Sequence, residues 1–133
     1  MVGTEICRLL TADGKPVKAL VRATSDPAKV YRLKNMGATV VQGDLRGAAS
    51  LKAACQGVSA VMTTASAMPF AYQPGENTPR TTDQDGYLNL IAAAKEAGVQ
   101  QFIYTSFPLM AASFPLQDAK RAVEERLRGS GLT

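Results

Sequence analysis

A chain of 133 residues with 46% hydrophobic and 20% charged side chains has the composition of a domain that buries a core, and its length suits one domain or part of a larger one. The net charge of +4 comes from Lys and Arg scattered from Arg8 to Arg128, which argues against a nucleic-acid partner and favours small anionic ligands such as phosphates. With no His, two distant Cys and no apolar run near ~20 residues, neither a metal site nor a membrane partner is expected.

The elements follow in chain order. Residues 4–12 predict a helix with Ile6, Leu9 and Leu10 as its apolar stripe, stopped by Gly14 and Pro16. Residues 17–21 form a short strand ending at Arg22. Beyond a turn, Ser25 or Asp26 can cap a second helix whose first turn takes Pro27 and which runs to about Met36, before Gly37. Residues 38–42 are the next strand, with Gly43-Asp44-Leu45-Arg46 as the loop at its carboxyl end. Ser50 caps a third helix that ends at Gly57, and residues 58–62 form a third strand. Residues 63–79 hold Pro69, Pro74, Gly75 and Pro79 without any period, so they read as a loop long enough to carry function. A helix over about 80–97 ends at Gly98, residues 101–105 form a fourth strand, and residues 106–115 a second loop. The last helix covers about 117–128. Cys7 and Cys55 fall on apolar helix faces and read as small hydrophobes of a reduced, cytoplasmic protein; the N-terminus shows no signal-peptide pattern.

Strands that alternate with helices require crossover connections, so the expected fold is α/β, a doubly wound parallel sheet of Rossmann type with four predicted strands. The alternation opens and closes on helices, so residues 1–133 are expected to be a partial dinucleotide-binding domain, truncated at both ends. Its central first strand would be missing. The seam left behind would cost ~1–3 kcal/mol for each buried backbone group without a partner, and self-association through the incomplete sheet would relieve it.

Three places carry chemistry. Gly3, at the start of the first helix, fits the last glycine of a phosphate-binding turn, where free N–H groups meet a pyrophosphate. Arg22 ends a strand where an NAD-binding fold places a carboxylate on the ribose 2′-hydroxyl. A guanidinium there suits a 2′-phosphate instead, although a solvated arginine at a strand end would look the same. Asp44 and Leu45 follow the next strand, placed to meet an adenine amino group and ring face, or to form an ordinary loop.

Val21-Arg22 with Pro27, Gly43-Asp44-Leu45, Ala92-Ala93-Ala94-Lys95-Glu96-Ala97-Gly98-Val99, Phe102-Ile103-Tyr104-Thr105-Ser106 and Lys120-Arg121-Ala122-Val123-Glu124 stand in one register. In these stretches the chain resembles the NmrA-like family of atypical short-chain dehydrogenases/reductases. The resemblance implies an NADP site in which Arg22 holds the 2′-phosphate and Asp44-Leu45 the adenine. Thr64, Ala65 and Ser66 would line the ribose and diphosphate path, and Ser106, Phe107 and Pro108 would flank the nicotinamide ribose. Lys120 would be the catalytic residue, reaching that ribose and assisting proton transfer; on pattern alone it reads as a surface lysine.

One departure limits the activity. A tyrosine one helical turn before the lysine is the usual proton donor of short-chain reductases, and Leu116 stands there; Tyr87 and Tyr104 lack the spacing. The reading is therefore an NADP-binding oxidoreductase domain passing hydride to an unidentified small-molecule acceptor, quinone-like or carbonyl, in a longer protein. Two alternatives stay open. One is a non-catalytic redox sensor, which the apolar stretch Met68-Pro69-Phe70-Ala71-Tyr72 would suit as a partner-binding loop. The other is an inactive fragment that binds NADP weakly or not at all.

Overall fold

The computed structural model describes residues 2–68 and 72–133, and within them the helix–strand alternation holds. The chain divides into two compact units, Met1–Asp44 and Leu45–Thr133. The apolar stretch around residue 70 lies in part outside the described residues. No described helix is long and apolar enough to cross a membrane.

The first unit contains α1 (Val2–Ala12), β1 (Lys18–Val21), α2 (Pro27–Asn35) and β2 (Thr39–Gln42). β1 and β2 pair in parallel, with Lys18 opposite Thr39 and Val21 opposite Gln42, and the Gly43 N–H extends the ladder to the Val21 carbonyl. Asp26 caps α2 as expected, its Oδ1 accepting from the Ala28 N–H at 3.0 Å, with Pro27 in the first turn. At the other end Gly37 adopts φ +99°, which lets its own N–H reach Lys34 and the Ala38 N–H reach Leu33. Ala19, Leu33 and Ala38 form a small core. α1 differs from expectation. It starts at Val2, so Gly3 sits inside its first turn, and none of its residues is buried; Leu9 is 54% exposed.

The second unit contains α3 (Ala48–Cys55), β3 (Ala60–Thr63), a π-helix (Pro79–Gly86), α4 (Tyr87–Glu96), β4 (Gln101–Tyr104) and α5 (Pro115–Arg128). β3 and β4 pair in parallel, Ala60 opposite Gln101 and Thr63 opposite Tyr104. Thr133 exchanges hydrogen bonds with Gln100 and Phe102 beside β4. Leu51, Ile91 and Val123 are fully enclosed in the larger core, each contributing about 1.5–3 kcal/mol through burial. Cys55 lies in that core and Cys7 is half-buried; neither forms a disulfide.

Two helix starts correct the sequence reading. Ser50 does not cap α3. That helix begins after Gly47, and the Ser50 hydroxyl donates back to the Gly47 carbonyl at 2.7 Å from inside the first turn. The helix expected over 80–97 is α-helical only from Tyr87. Before it, the polar segment Pro79–Gly86 winds as a π-helix, started by Pro79 and by a reciprocal pair in which Thr78 and Thr81 each accept the other's backbone N–H. The last residue of the π-helix is Gly86, where a β-carbon would stand 2.9 Å from the Leu45 Cβ.

Candidate functional site

In an open parallel sheet the carboxyl ends of the strands are where ligands bind, and the second unit clamps both of its strand ends from behind. Beyond β3, the loop carrying Thr64, Ala65 and Ser66 is held by two buried side chains one helical turn apart. Asp83, on the π-helix and 0% exposed, accepts the Ala67 N–H on Oδ2 at 3.0 Å. Tyr87, the first residue of α4, donates to the Ala65 carbonyl at 2.6 Å, which leaves the Thr63 hydroxyl to donate to the Tyr87 oxygen, also at 2.6 Å. Ala65 itself is exposed, with Thr64 and Ser66 half-buried on either side.

Beyond β4, α5 does the same work. Lys120 Nζ donates to the Thr105 carbonyl at 3.1 Å and lies 5.0 Å from the centre of the Tyr104 ring, a cation–π contact. Glu124 accepts from the exposed Ser106 hydroxyl. Arg121 donates to the Phe107 carbonyl and pairs with Glu124 at 2.7 Å. Gln117 accepts the Met110 N–H at 2.7 Å and donates to the Ala112 carbonyl at 3.1 Å. Phe107 stacks parallel to Phe114 with ring centres 6.0 Å apart, and Pro108 next to it is exposed.

Lys120 is thus not a surface lysine: it is 7% exposed. Burial depresses the pKa of its ammonium, the charge on Arg121 adds to that, and the carboxylates of Asp83 and Glu124 oppose it. Tyr87 and Tyr104 meet edge to face at 5.0 Å, and burial raises both phenols well above the ordinary value. Asp83 Oδ1 and the Tyr104 hydroxyl are buried without a hydrogen-bond partner among the described residues. The unit therefore gathers one buried cation, one buried carboxylate and two phenols behind two strand-end loops.

Of the residues expected from sequence, this unit brings Thr64, Ala65, Ser66, Ser106, Phe107, Pro108 and Lys120 to its two strand ends. Leu45 stands at the start of the second unit. At 8% exposure it is part of the core and packs against Gly86. In the first unit, Arg22 follows β1 with its side chain exposed. Its backbone is fixed by Ser25, whose Oγ accepts the Arg22 N–H at 3.0 Å. Asp44 follows β2, half-buried. Sequence reasoning missed Asp83, because a carboxylate in a polar, aperiodic segment carries no sign that it will be enclosed.

The pattern of the NmrA-like family matches residues 1–133. The chain belongs to the NmrA-like family. Among its relatives, the photosystem II assembly factor Ycf39 of Synechocystis is 33% identical over 134 residues, covering 98% of this chain and 39% of that protein. The NAD(P)H azoreductase of Xenophilus azovorans is 36% identical over 117 residues, covering 87% of this chain and 35% of that protein. Among solved structures, the NADPH-dependent quinone oxidoreductase of Escherichia coli in complex with NADPH superposes with a TM-score of 0.70 at 29% identity, covering 98% of this chain and 41% of that one. The fold of this NmrA-like chain is accordingly the Rossmann-type α/β fold. The chain spans between a third and a half of the length of these relatives.

Proposed function

We propose that this chain is the nucleotide-binding part of an NADPH-dependent, cytoplasmic reductase that passes hydride to a quinone-like or carbonyl acceptor. The observation that carries the reading is Lys120: an ammonium held in a largely dehydrated position at the carboxyl end of β4, beside a loop that α5 fixes at Ser106 and Phe107. The similarity to an azoreductase and to an NADPH-bound quinone oxidoreductase supports it.

The residues fit the cofactor. Lys120 uses one N–H on Thr105 and keeps two donors for a ribose hydroxyl. The exposed guanidinium of Arg22 suits the 2′-phosphate, and Asp44 suits the adenine amino group. Thr64 and Ser66 offer hydroxyls to a diphosphate; in the first unit, Gly3 in the first turn of α1 suits a phosphate by itself. NADPH, when bound, supplies the hydride; a quinone that takes it also needs one proton to become the hydroquinone. Lys120 is the proton source and positions the ribose, and Leu116 contributes no phenol to that step. A quinone asks less of an acid than a simple ketone does, which matches that composition.

The test is a titration of the native polypeptide with NADPH and NADH, followed by NADPH oxidation with menadione. Saturable binding that prefers NADPH, with turnover, is expected. No binding, or a preference for NADH, would overturn the assignment. A second reading, an NADP-binding module without catalysis, is favoured by Leu116 and by the similarity to photosystem II assembly factors. NADPH binding with no turnover on any quinone would select it.

A further inference from the structure

The loops after β3 and β4 leave neighbouring strands, and a run of hydrogen bonds joins them. Lys120 Nζ donates to the Thr105 carbonyl, and the Thr105 N–H donates to the Thr63 carbonyl at 3.2 Å. From Thr63, the last residue of β3, the hydroxyl continues the run through the Tyr87 phenol to the Ala65 carbonyl. Tyr87 is thus the link that carries the run from the sheet into the loop. A phenol has one proton to give and can accept on the same oxygen, and here both capacities are used at 2.6 Å. Its ring is 1% exposed and meets the Tyr104 ring edge to face, which fixes where the hydroxyl stands. Burial also keeps the phenol protonated, so it stays a donor at physiological pH. The Tyr104 hydroxyl, buried beside it, has no partner among the described residues. Of two stacked phenols, one is wired to the loop and the other is not.

We propose that Tyr87 is a positioning residue of the nucleotide site: its hydroxyl ties the Thr64–Ser66 loop to the end of β3, and so sets where that loop stands relative to the strand end that Lys120 holds. Thr64 and Ser66 flank the tethered carbonyl, so a shift at Ala65 moves both of the hydroxyls offered to a diphosphate. Arg22 and Asp44, which suit the adenosine end, take no part in this run of bonds. The phenol therefore acts on one part of the dinucleotide and not on the other. This inference rests on the NADPH reading for its function, but its physical content concerns the loop alone.

The experiment is amide hydrogen exchange by NMR on the native polypeptide without nucleotide, followed by titrations with NADPH and with adenosine 2′-phosphate. Tyr87→Phe keeps the ring and removes both hydrogen bonds. The Ala67 and Met68 amides, bonded to Asp83 and Ser66, report on the loop. In Tyr87→Phe their exchange is expected to quicken roughly tenfold or more beyond any change shared with Ala94, which is fully buried inside α4. NADPH binding is expected to weaken roughly threefold to tenfold, with adenosine 2′-phosphate binding unchanged. Tyr104→Phe takes a hydroxyl from the same ring pair and is expected to leave the exchange of both loop amides as it is. No selective quickening in Tyr87→Phe, an equal quickening in Tyr104→Phe, or equal losses for the two ligands would overturn the proposal. Should Tyr87→Phe not fold, Thr63→Val decides, because it removes the hydroxyl that anchors the phenol to β3: loop amides that quicken selectively support the proposal, and loop amides that do not overturn it. A protein that binds no NADPH but shows the Tyr87-specific quickening overturns the cofactor reading and leaves the hold of Tyr87 on the loop standing.

Discussion

The two units end their middle helices with the same device and hold their key cations in opposite ways. Gly37 after α2 and Gly98 after α4 both take positive φ, and each is followed by an N–H that reaches back to the helix, Ala38 to Leu33 and Val99 to Ala94. The cations differ. Arg22 is exposed and fixed only through its backbone, whereas Lys120 is enclosed, bonded to Thr105 and laid against Tyr104. An exposed guanidinium is screened by salt and free to move, so it can choose between ligands but cannot pre-organise them. A buried ammonium acts in a weaker dielectric and at a fixed point, which is what a reacting centre needs. The first unit should therefore govern which dinucleotide binds, and the second what happens to it.

The largest expected effect tests that division directly. Lys120→Met should lower kcat/KM for NADPH-dependent quinone reduction by roughly 10²-fold or more, the usual size of a lost acid–base group, measured by steady-state kinetics. Circular dichroism of the variant separates this loss from a loss of fold, since the change also removes the hydrogen bond to Thr105. The ammonium also fixes a pH dependence. Its folded-state value lies below the ordinary lysine value of 10.5, so between the two the unfolded chain binds more protons. In that window this group's contribution makes stability rise with pH while NADPH affinity falls, and Lys120→Met should abolish both slopes. Next in size is Gly86→Ala. The new methyl would meet Leu45 at 2.9 Å, and overpacking of this kind costs about 1–3 kcal/mol, read by chemical denaturation. If Gly86→Ala were neutral, the second unit would be less rigid than the comparison requires.

What the sequence makes legible follows the same divide. The strands, the alternation, the Asp26 cap and the Gly37 and Gly98 stops are local chemistry, and each stands where it was expected. The places of Arg22 and Asp44 just past β1 and β2 are legible because each follows a short apolar strand pattern. The second unit hides more. Lys120 shares the buried side of α5 with Ala119 and Val123, but a lysine in such a stripe cannot be told from one that reaches back to solvent. Asp83 and Tyr87 become meaningful only through Ala67 and Ala65, 16 and 22 residues earlier, across a loop with no period. Leu45 shows a core role that its sequence setting does not announce. It stands in a ligand-like Gly-Asp-Leu sequence but fills the space that Gly86 leaves open.

Two smaller changes sharpen the account of the first unit. Arg22→Ala should weaken NADPH binding about tenfold, the worth of a charge-assisted contact, and leave NADH binding unchanged; raising salt should erode the difference. Equal losses for both dinucleotides would mean that Arg22 supplies general attraction rather than choice.

Asp26→Ala is the mildest and bears on how α2 is held at all. Leu33 is the buried side chain of that helix, so its start depends on the cap more than on packing. Losing the Oδ1 to Ala28 hydrogen bond should cost about 1 kcal/mol in urea denaturation, and Asp26→Asn, which preserves the acceptor, no more than a few tenths. α3 offers the control, since Gly47 gives it no side-chain cap and Leu51 and Cys55 anchor it in the larger core. Gly47→Ala should therefore change stability less than Asp26→Ala does. The reverse order would mean that packing holds the helices of both units, and that their difference lies only in where they place their cations.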